Sequence, residues 1–132
     1  MTRKPNPAVV EALGRVTDFD AETIERLATV GRPINIPANW AVIVENTPAD
    51  KAYIILSGTV EIQRNGTPVT FLRSGDIIGE MAILSDRLRN ATVVATTPLW
   101  ALHLTDEDVV ELLKEDPEFA NKLEAAAAAR RG

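Results

Sequence analysis

The sequence predicts a mainly β protein with flanking α-helices, its body closed as a roll or sandwich. Three observations carry that reading. Between residues 34 and 104, short runs rich in Val, Ile, Thr and Tyr alternate with turn residues. An Asn65-Gly66 pair, the strongest short-range hairpin signal, separates two of the runs. The gaps between runs leave no room for the crossover helices that parallel strands require.

Taken in order, Pro5-Asn6-Pro7 makes a poor helix interior, and helices are expected at residues 8–13 and 20–30. In the second, Ile24, Leu27 and Ala28 recur at helical spacing, Asp18 or Asp20 supplies a cap, and Gly31 with Pro33 ends it. Strands follow at residues 34–36, 41–44, 53–56 and 60–63, separated by Pro37-Ala38-Asn39, by residues 46–50 and by Ser57-Gly58-Thr59. The Asn65-Gly66 turn joins residues 60–64 to 67–72 as an antiparallel hairpin, Ser74-Gly75-Asp76 breaks the next run, and residues 90–95 and 99–104 supply two more strands. Thr105 then caps a helix over 106–115 with Val109, Leu112 and Leu113 on its apolar face. Pro117 begins a final helix over 117–131, in which Phe119, Ala120, Leu123 and Ala127 share one side, suited to a lid or to a second copy. No internal repeat divides the chain, so one domain over residues 1–132 is expected.

Composition narrows the function classes. Nineteen acidic against fourteen basic residues give a formal charge of −5, and no basic patch of useful length attracts a polyanion. With no cysteine there are no disulfides, thiolate nucleophiles or cysteine-ligated zinc. That composition suits a reducing compartment. The stretch after the basic N-terminus is too short for a signal peptide or membrane span and contains Glu11, so a cytoplasmic address without a membrane segment is expected. His103 is the single histidine and has no neighbouring ligand set, so no metal is expected. Scattered Ser, Asp and Glu residues form no nucleophile and base arrangement, which points to binding without turnover.

One interval interrupts the strand pattern: Gly79-Glu80-Met81-Ala82-Ile83-Leu84-Ser85-Asp86-Arg87-Leu88-Arg89-Asn90-Ala91-Thr92. Gly79 permits close backbone approach, and residues 80–84 have room for about one helical turn whose first N–H groups, over 79–82, are donors for an anion. Arg89 offers a charged fork to phosphate oxygens, and Glu80 accepts from sugar hydroxyls. Arg87 reads as a solvated or locally paired surface residue.

This interval closely resembles the phosphate-binding cassette of the cyclic nucleotide-binding domain, the sensory β-roll of catabolite activator-like regulators, protein-kinase regulatory subunits and nucleotide-gated channels. Gly79, Glu80, Met81, Ala82, Ile83, Leu84, Arg89, Ala91 and Thr92 match the family's wording in order. Residues 52–60 resemble its strand-glycine-strand segment, and Gly75-Asp76-Ile77-Ile78-Gly79 its lead into the cassette. The likeness runs from about Asp20 through Leu104, and more loosely through the final helices. It implies a double-stranded β-helix, or jelly roll: helices over 8–30, a roll over 34–104 with the cassette at 79–92, and hinge or lid helices over 106–131 that shift toward an occupied pocket.

The implied ligand-binding residues are Gly79, Glu80, Met81, Ala82, Arg89, Asn90 and Ala91. By resemblance, Glu80 accepts from the ribose 2′-hydroxyl, Arg89 pairs with the cyclic phosphate, and the Ala82 and Asn90 backbones help seat it. Cyclic AMP is the expected ligand, because no Ser or Thr follows Arg89; cyclic GMP is the second candidate. Two departures stand out. Leu88 occupies the family's usual proline position, and Asn90 replaces a smaller residue. They motivate the alternative of a nucleotide-independent structural or interaction module with a degenerate cassette. A further alternative is the sensory part of a transcription regulator, although no helix-turn-helix pattern follows Leu104 and direct DNA contact is not expected. The chain reads as a whole sensor or as the regulatory piece of a longer polypeptide, with a protein partner or fused effector as its output. Without a sustained heptad pattern, monomer and homodimer both stay open.

Overall fold

The computed structural model describes residues 4–48, 50–79 and 91–131, with residues 126–131 described by their backbone alone. Helix α1 spans Pro7–Val16 and α2 spans Ala21–Val30. Pro7 stands in the first turn of α1, where its missing N–H costs nothing, and the Asn6 side chain accepts from the Ala8 and Val9 N–H groups. The Pro-Asn-Pro segment therefore starts this helix. Asp20, not Asp18, caps α2 by accepting from the Thr23 N–H at 2.8 Å.

Gly31 does end α2, but not through a left-handed conformation: its φ is −79° and its ψ 159°. A Cβ at this position would lie 2.6 Å from Leu102 Cγ, so the glycine is required by the close approach of the helix end to a strand far along the chain.

Eight strands follow among the described residues: β1 (Arg32–Ile36), β2 (Ala41–Ile43), β3 (Lys51–Ser57), β4 (Thr59–Arg64), β5 (Thr67–Arg73), β6 (Ile77–Ile78), β7 (Thr92–Ala95) and β8 (Leu99–Thr105). Helices α3 (Asp106–Glu115) and α4 (Pro117–Arg131) complete the described elements. β1 begins two residues earlier than expected, with Pro33 paired to Leu102; an edge strand tolerates the missing donor. β2 stops at Ile43, because Val44 enters a turn in which the Thr47 hydroxyl donates to the Val44 carbonyl at 2.6 Å and Asn46 has φ +67°.

The strands form two four-stranded antiparallel sheets, ordered β1-β8-β3-β6 and β2-β7-β4-β5. The Asn65-Gly66 turn forms as expected: Asn65 has φ +52° and Gly66 φ +78°, with Arg64 opposite Thr67. By contrast, β3 passes to β4, and β7 to β8, by changing sheets. These two corners pack on each other. Gly58, at φ +103°, sits where a Cβ would lie 2.6 Å from the Pro98 carbonyl oxygen, and the Thr59 N–H donates to Thr97 Oγ1 at 3.1 Å.

Two apolar cores result. Tyr53, Ile55, Ile78, Leu99 and Ala101 from one sheet meet Val42, Ile43, Val60, Val93 and Ala95 from the other inside the roll. Ala52, Ile54, Leu56, Ile77, Leu102 and Leu104, on the opposite face of the first sheet, pack against the helices. This explains why residues 52–56 read as a continuous apolar run: β3 is buried on both faces.

The α3 cap is reciprocal, with Thr105 Oγ1 accepting from the Asp108 N–H and Asp108 accepting from the Thr105 N–H. α4 is tied to α2 through buried Asp116, which accepts from the Thr23 hydroxyl at 2.7 Å and from the Phe119 N–H at 3.1 Å. Phe119 and Leu123 have no solvent exposure, so the side chains expected to serve a lid or a second copy lie inside the helical core instead. The side chain of Ala127 is outside the described residues. No helix among the described residues is long and apolar enough to cross a membrane.

Candidate functional site

A tight turn and a helix end hold the lead into residues 79–92. The Arg73 N–H donates to Asp76 Oδ2 at 2.9 Å, and the Asp76 N–H donates back to the Arg73 carbonyl at 2.9 Å. Gly75 and Asp76 also bond to β3, through Gly75 N–H to the Ile55 carbonyl (2.8 Å) and Ile55 N–H to the Asp76 carbonyl (3.0 Å). Gly75 has φ +93°, and a Cβ there would meet the Val16 carbonyl oxygen at 2.2 Å. The C-terminal end of α1 therefore lies directly against this turn, and only glycine fits.

From that turn β6 pairs Ile77 with Ile54 and Ile78 with Tyr53, placing Ile77 toward the helices and Ile78 toward the roll interior. Gly79 follows with φ +89°, the backbone freedom expected of the first cassette residue. On the return side Ala91 is buried, and Thr92 opens β7, where it pairs with Gln63. The cassette thus departs from an edge strand of one sheet and re-enters on a central strand of the other.

Of the sequence-predicted site residues, Gly79 and Ala91 are the two that fall within the described residues. Glu80, Met81, Ala82, Arg89 and Asn90, with the helical turn expected over 80–84, lie outside them, as does the beginning of the strand expected over 90–95. Sequence reasoning missed Glu45. Its N–H donates to Thr92 Oγ1 at 3.0 Å, and its carboxylate accepts from the Asn65 N–H at 3.0 Å. No local pattern signals these contacts, which join residues 47 and 20 positions apart.

A groove of about 470 Å³ between α2 and α3 is lined by Glu22, Glu25, Asp108, Glu111 and Glu115 around Arg26. Arg26 is already engaged by Glu22 at 2.8 Å and by the Glu115 carbonyl at 2.9 Å. Those acidic walls repel an anion.

His103 stands in a row across the first sheet, Arg32, His103, Tyr53 and Ile78, which ends beside Gly79. Its ring meets Tyr53 edge to face at 5.4 Å between centroids. Burial, and then repulsion from Lys51, holds the imidazole below its ordinary pKa. Asp108 opposes this, Arg32 adds to it and Asp50 opposes it. A lowered native pKa means that the unfolded chain takes up the proton first. The stability this residue contributes is therefore complete above about pH 6.5 and is lost as pH falls from there through the native value. Because the chain holds one histidine, its proton NMR titration is unambiguous. A midpoint below 6.5 is expected, and one at or above that value would overturn the assignment.

Comparison with known proteins fits this geometry. The family model described as "Cyclic nucleotide-binding domain" matches residues 33–116, starting in β1, later than the likeness read from the sequence, and extending through α3, within the stretch where that likeness was looser. The chain is 35% identical over 113 residues to a cAMP-dependent protein kinase regulatory subunit of Aspergillus niger, covering 84% of this chain and 28% of that protein. It is 34% identical over 101 residues to a cyclic nucleotide-gated potassium channel of Rhizobium etli, covering 76% of this chain and 28% of the channel. It therefore spans less than a third of the length of either relative. A solved cyclic nucleotide-binding domain from Methylobacillus flagellatus superposes with a TM-score of 0.74 at 25% identity, covering 92% of this chain and 75% of that one. The two antiparallel sheets flanked by helices are that β-roll, which at the level of the family is a regulatory and not a catalytic unit that takes a cyclic nucleotide. The chain belongs to the cyclic nucleotide-binding domain family.

Proposed function

We propose that this chain is a cyclic AMP sensor whose ligand is held by Gly79, Glu80, Met81, Ala82, Arg89, Asn90 and Ala91. The observation that carries the reading is the sequence pattern over 79–92, which matches the family's cassette in order, with the strands that flank it, Ile77–Ile78 and Thr92–Ala95, on two facing sheets. A cyclic phosphate carries one negative charge that must leave water. Backbone N–H groups at the start of the cassette and the Arg89 guanidinium compensate that loss with charge-assisted hydrogen bonds. Glu80 accepts from the ribose 2′-hydroxyl, and the base rests on apolar roll residues or a terminal helix. Asn90, where a hydroxyl residue would favour cyclic GMP, and the likeness to a cAMP-dependent kinase regulatory subunit both support cyclic AMP.

Residues 1–132 act in this reading as one unit, with helices over 8–30, the roll over 34–104 and a lid over 106–131 that rearranges on binding. Its output passes to a protein partner or fused effector, as the greater length of its relatives suggests. A cysteine-free chain suits the reducing cytoplasm, the address we propose.

Calorimetric titration tests the reading. Saturable heat with cyclic AMP and weaker binding of cyclic GMP are expected. The 2′-deoxy analogue of cyclic AMP is expected to bind about 10- to 100-fold less tightly, because one hydrogen bond to a charged acceptor is lost. In Glu80→Ala that difference between ribose and deoxyribose should vanish. A folded protein giving no heat with either nucleotide at millimolar concentration would instead favour the degenerate cassette that Leu88 and Asn90 motivate.

A further inference from the structure

The strand that follows the cassette is tied to the hairpin next to it in its sheet. β2 is paired to β7 through Ile43 and Val93. Two residues later, Glu45 makes both contacts described above: its N–H to the Thr92 hydroxyl and its carboxylate from the Asn65 N–H, each at 3.0 Å. Thr92 in turn pairs with Gln63 on β4, two residues before Asn65. The contacts therefore close a ring: Thr92, Glu45, Asn65, and back along β4 to Thr92.

Each member is suited to its place. Asn65 is the first residue of a two-residue turn, whose own ladder bond runs between the flanking residues, so its N–H points outward and a carboxylate answers it with a charge-assisted bond. Thr92 is β-branched and stiff about χ1, so fixing its hydroxyl fixes the backbone that carries it. That backbone adjoins buried Ala91 and follows Arg89 by three residues.

We propose that Glu45 is a positioning residue for the nucleotide site, acting through Thr92 to hold the return end of the cassette in register with the Asn65-Gly66 hairpin. The proposal rests on the sensor reading for its effect on affinity, but the restraint itself operates in the empty protein.

The test uses Glu45→Ala and Thr92→Val, each of which removes one side chain of the ring, the double variant, and Thr92→Ser, which restores the hydroxyl. Two quantities are read: cyclic AMP affinity by calorimetry, and amide hydrogen exchange of residues 80–91 in nucleotide-free protein, with β3 as the internal reference. Each single variant is expected to bind about 5- to 10-fold more weakly, the scale of one hydrogen bond. Exchange over 80–91 should accelerate several-fold while β3 is unchanged. The double variant should be no worse than the weaker single one, because both break the same ring, and Thr92→Ser should behave as wild type. Wild-type exchange and affinity in both single variants, or effects that add in the double variant, would overturn the proposal. A wild-type chain that binds neither nucleotide would overturn the sensor reading, and the exchange comparison would still decide for or against the positioning role.

Discussion

Arg89→Ala is expected to weaken cyclic AMP binding by about 100- to 1,000-fold, roughly 3–4 kcal/mol, with little change in thermal stability. The size follows from what remains after truncation. The cyclic phosphate would still have to leave water, but its charge would meet only backbone dipoles, and losing one partner of a desolvated ion pair costs more than the net contribution of the intact pair. Arg89→Lys retains a point charge and loses the planar fork, so intermediate affinity is expected. Arg87→Ala, two residues earlier and read as a surface residue, should change affinity by no more than about twofold. Calorimetry on the four proteins, with circular dichroism to establish that each is folded, makes the comparison. If Arg89→Ala binds as tightly as wild type, the phosphate is held elsewhere.

Phe119→Ala is expected to destabilise the protein by about 3–5 kcal/mol, a large fraction of the roughly 5–15 kcal/mol that stabilises a typical domain. Phe119 has no solvent exposure, and its ring lies 5.9 Å from that of Phe19 at an interplanar angle of 31°. The Lys122 ammonium stands 5.4 Å from the Phe19 ring centroid and pairs with Asp18, whose carboxyl it holds below the usual range by hydrogen bond and charge. Removing the Phe119 ring leaves a cavity among groups that the Asp116 bonds to Thr23 and to the Phe119 backbone keep in place, so little collapse can relieve it. Urea denaturation checks the value, with a lowered midpoint and an unchanged slope expected. A loss under about 1 kcal/mol would mean that α4 contributes little to the folded state. Any lid movement of α4 has to begin from this anchored arrangement.

How legible each feature was depends on the range over which its cause acts. The Asn65-Gly66 turn, the Asp20 and Thr105 caps and the start of α4 at Pro117 depend on backbone preferences within a few residues, and each forms close to where the sequence put it. The likeness of residues 79–92 to the family's cassette was legible for a different reason: it rests on the order of residue types along the chain. Gly31 shows the opposite case. It ends α2 as expected, but its requirement comes from Leu102, a residue distant in the chain that only strand pairing brings near. The same holds for Gly75 against the Val16 carbonyl and for Phe119, whose apolar helical face could not reveal what it packs against.

By itself the sequence determined the strand-rich body, its flanking helices, the hairpin and the class of ligand chemistry, because periodicity, capping and motif order act locally along the chain. Only the tertiary structure decided which strands share a sheet, that α4 is anchored on α2, and that Glu45 reaches Thr92 across 47 positions. Such contacts depend on the free energy of closing long loops around a shared core, and no short window of residues encodes that balance.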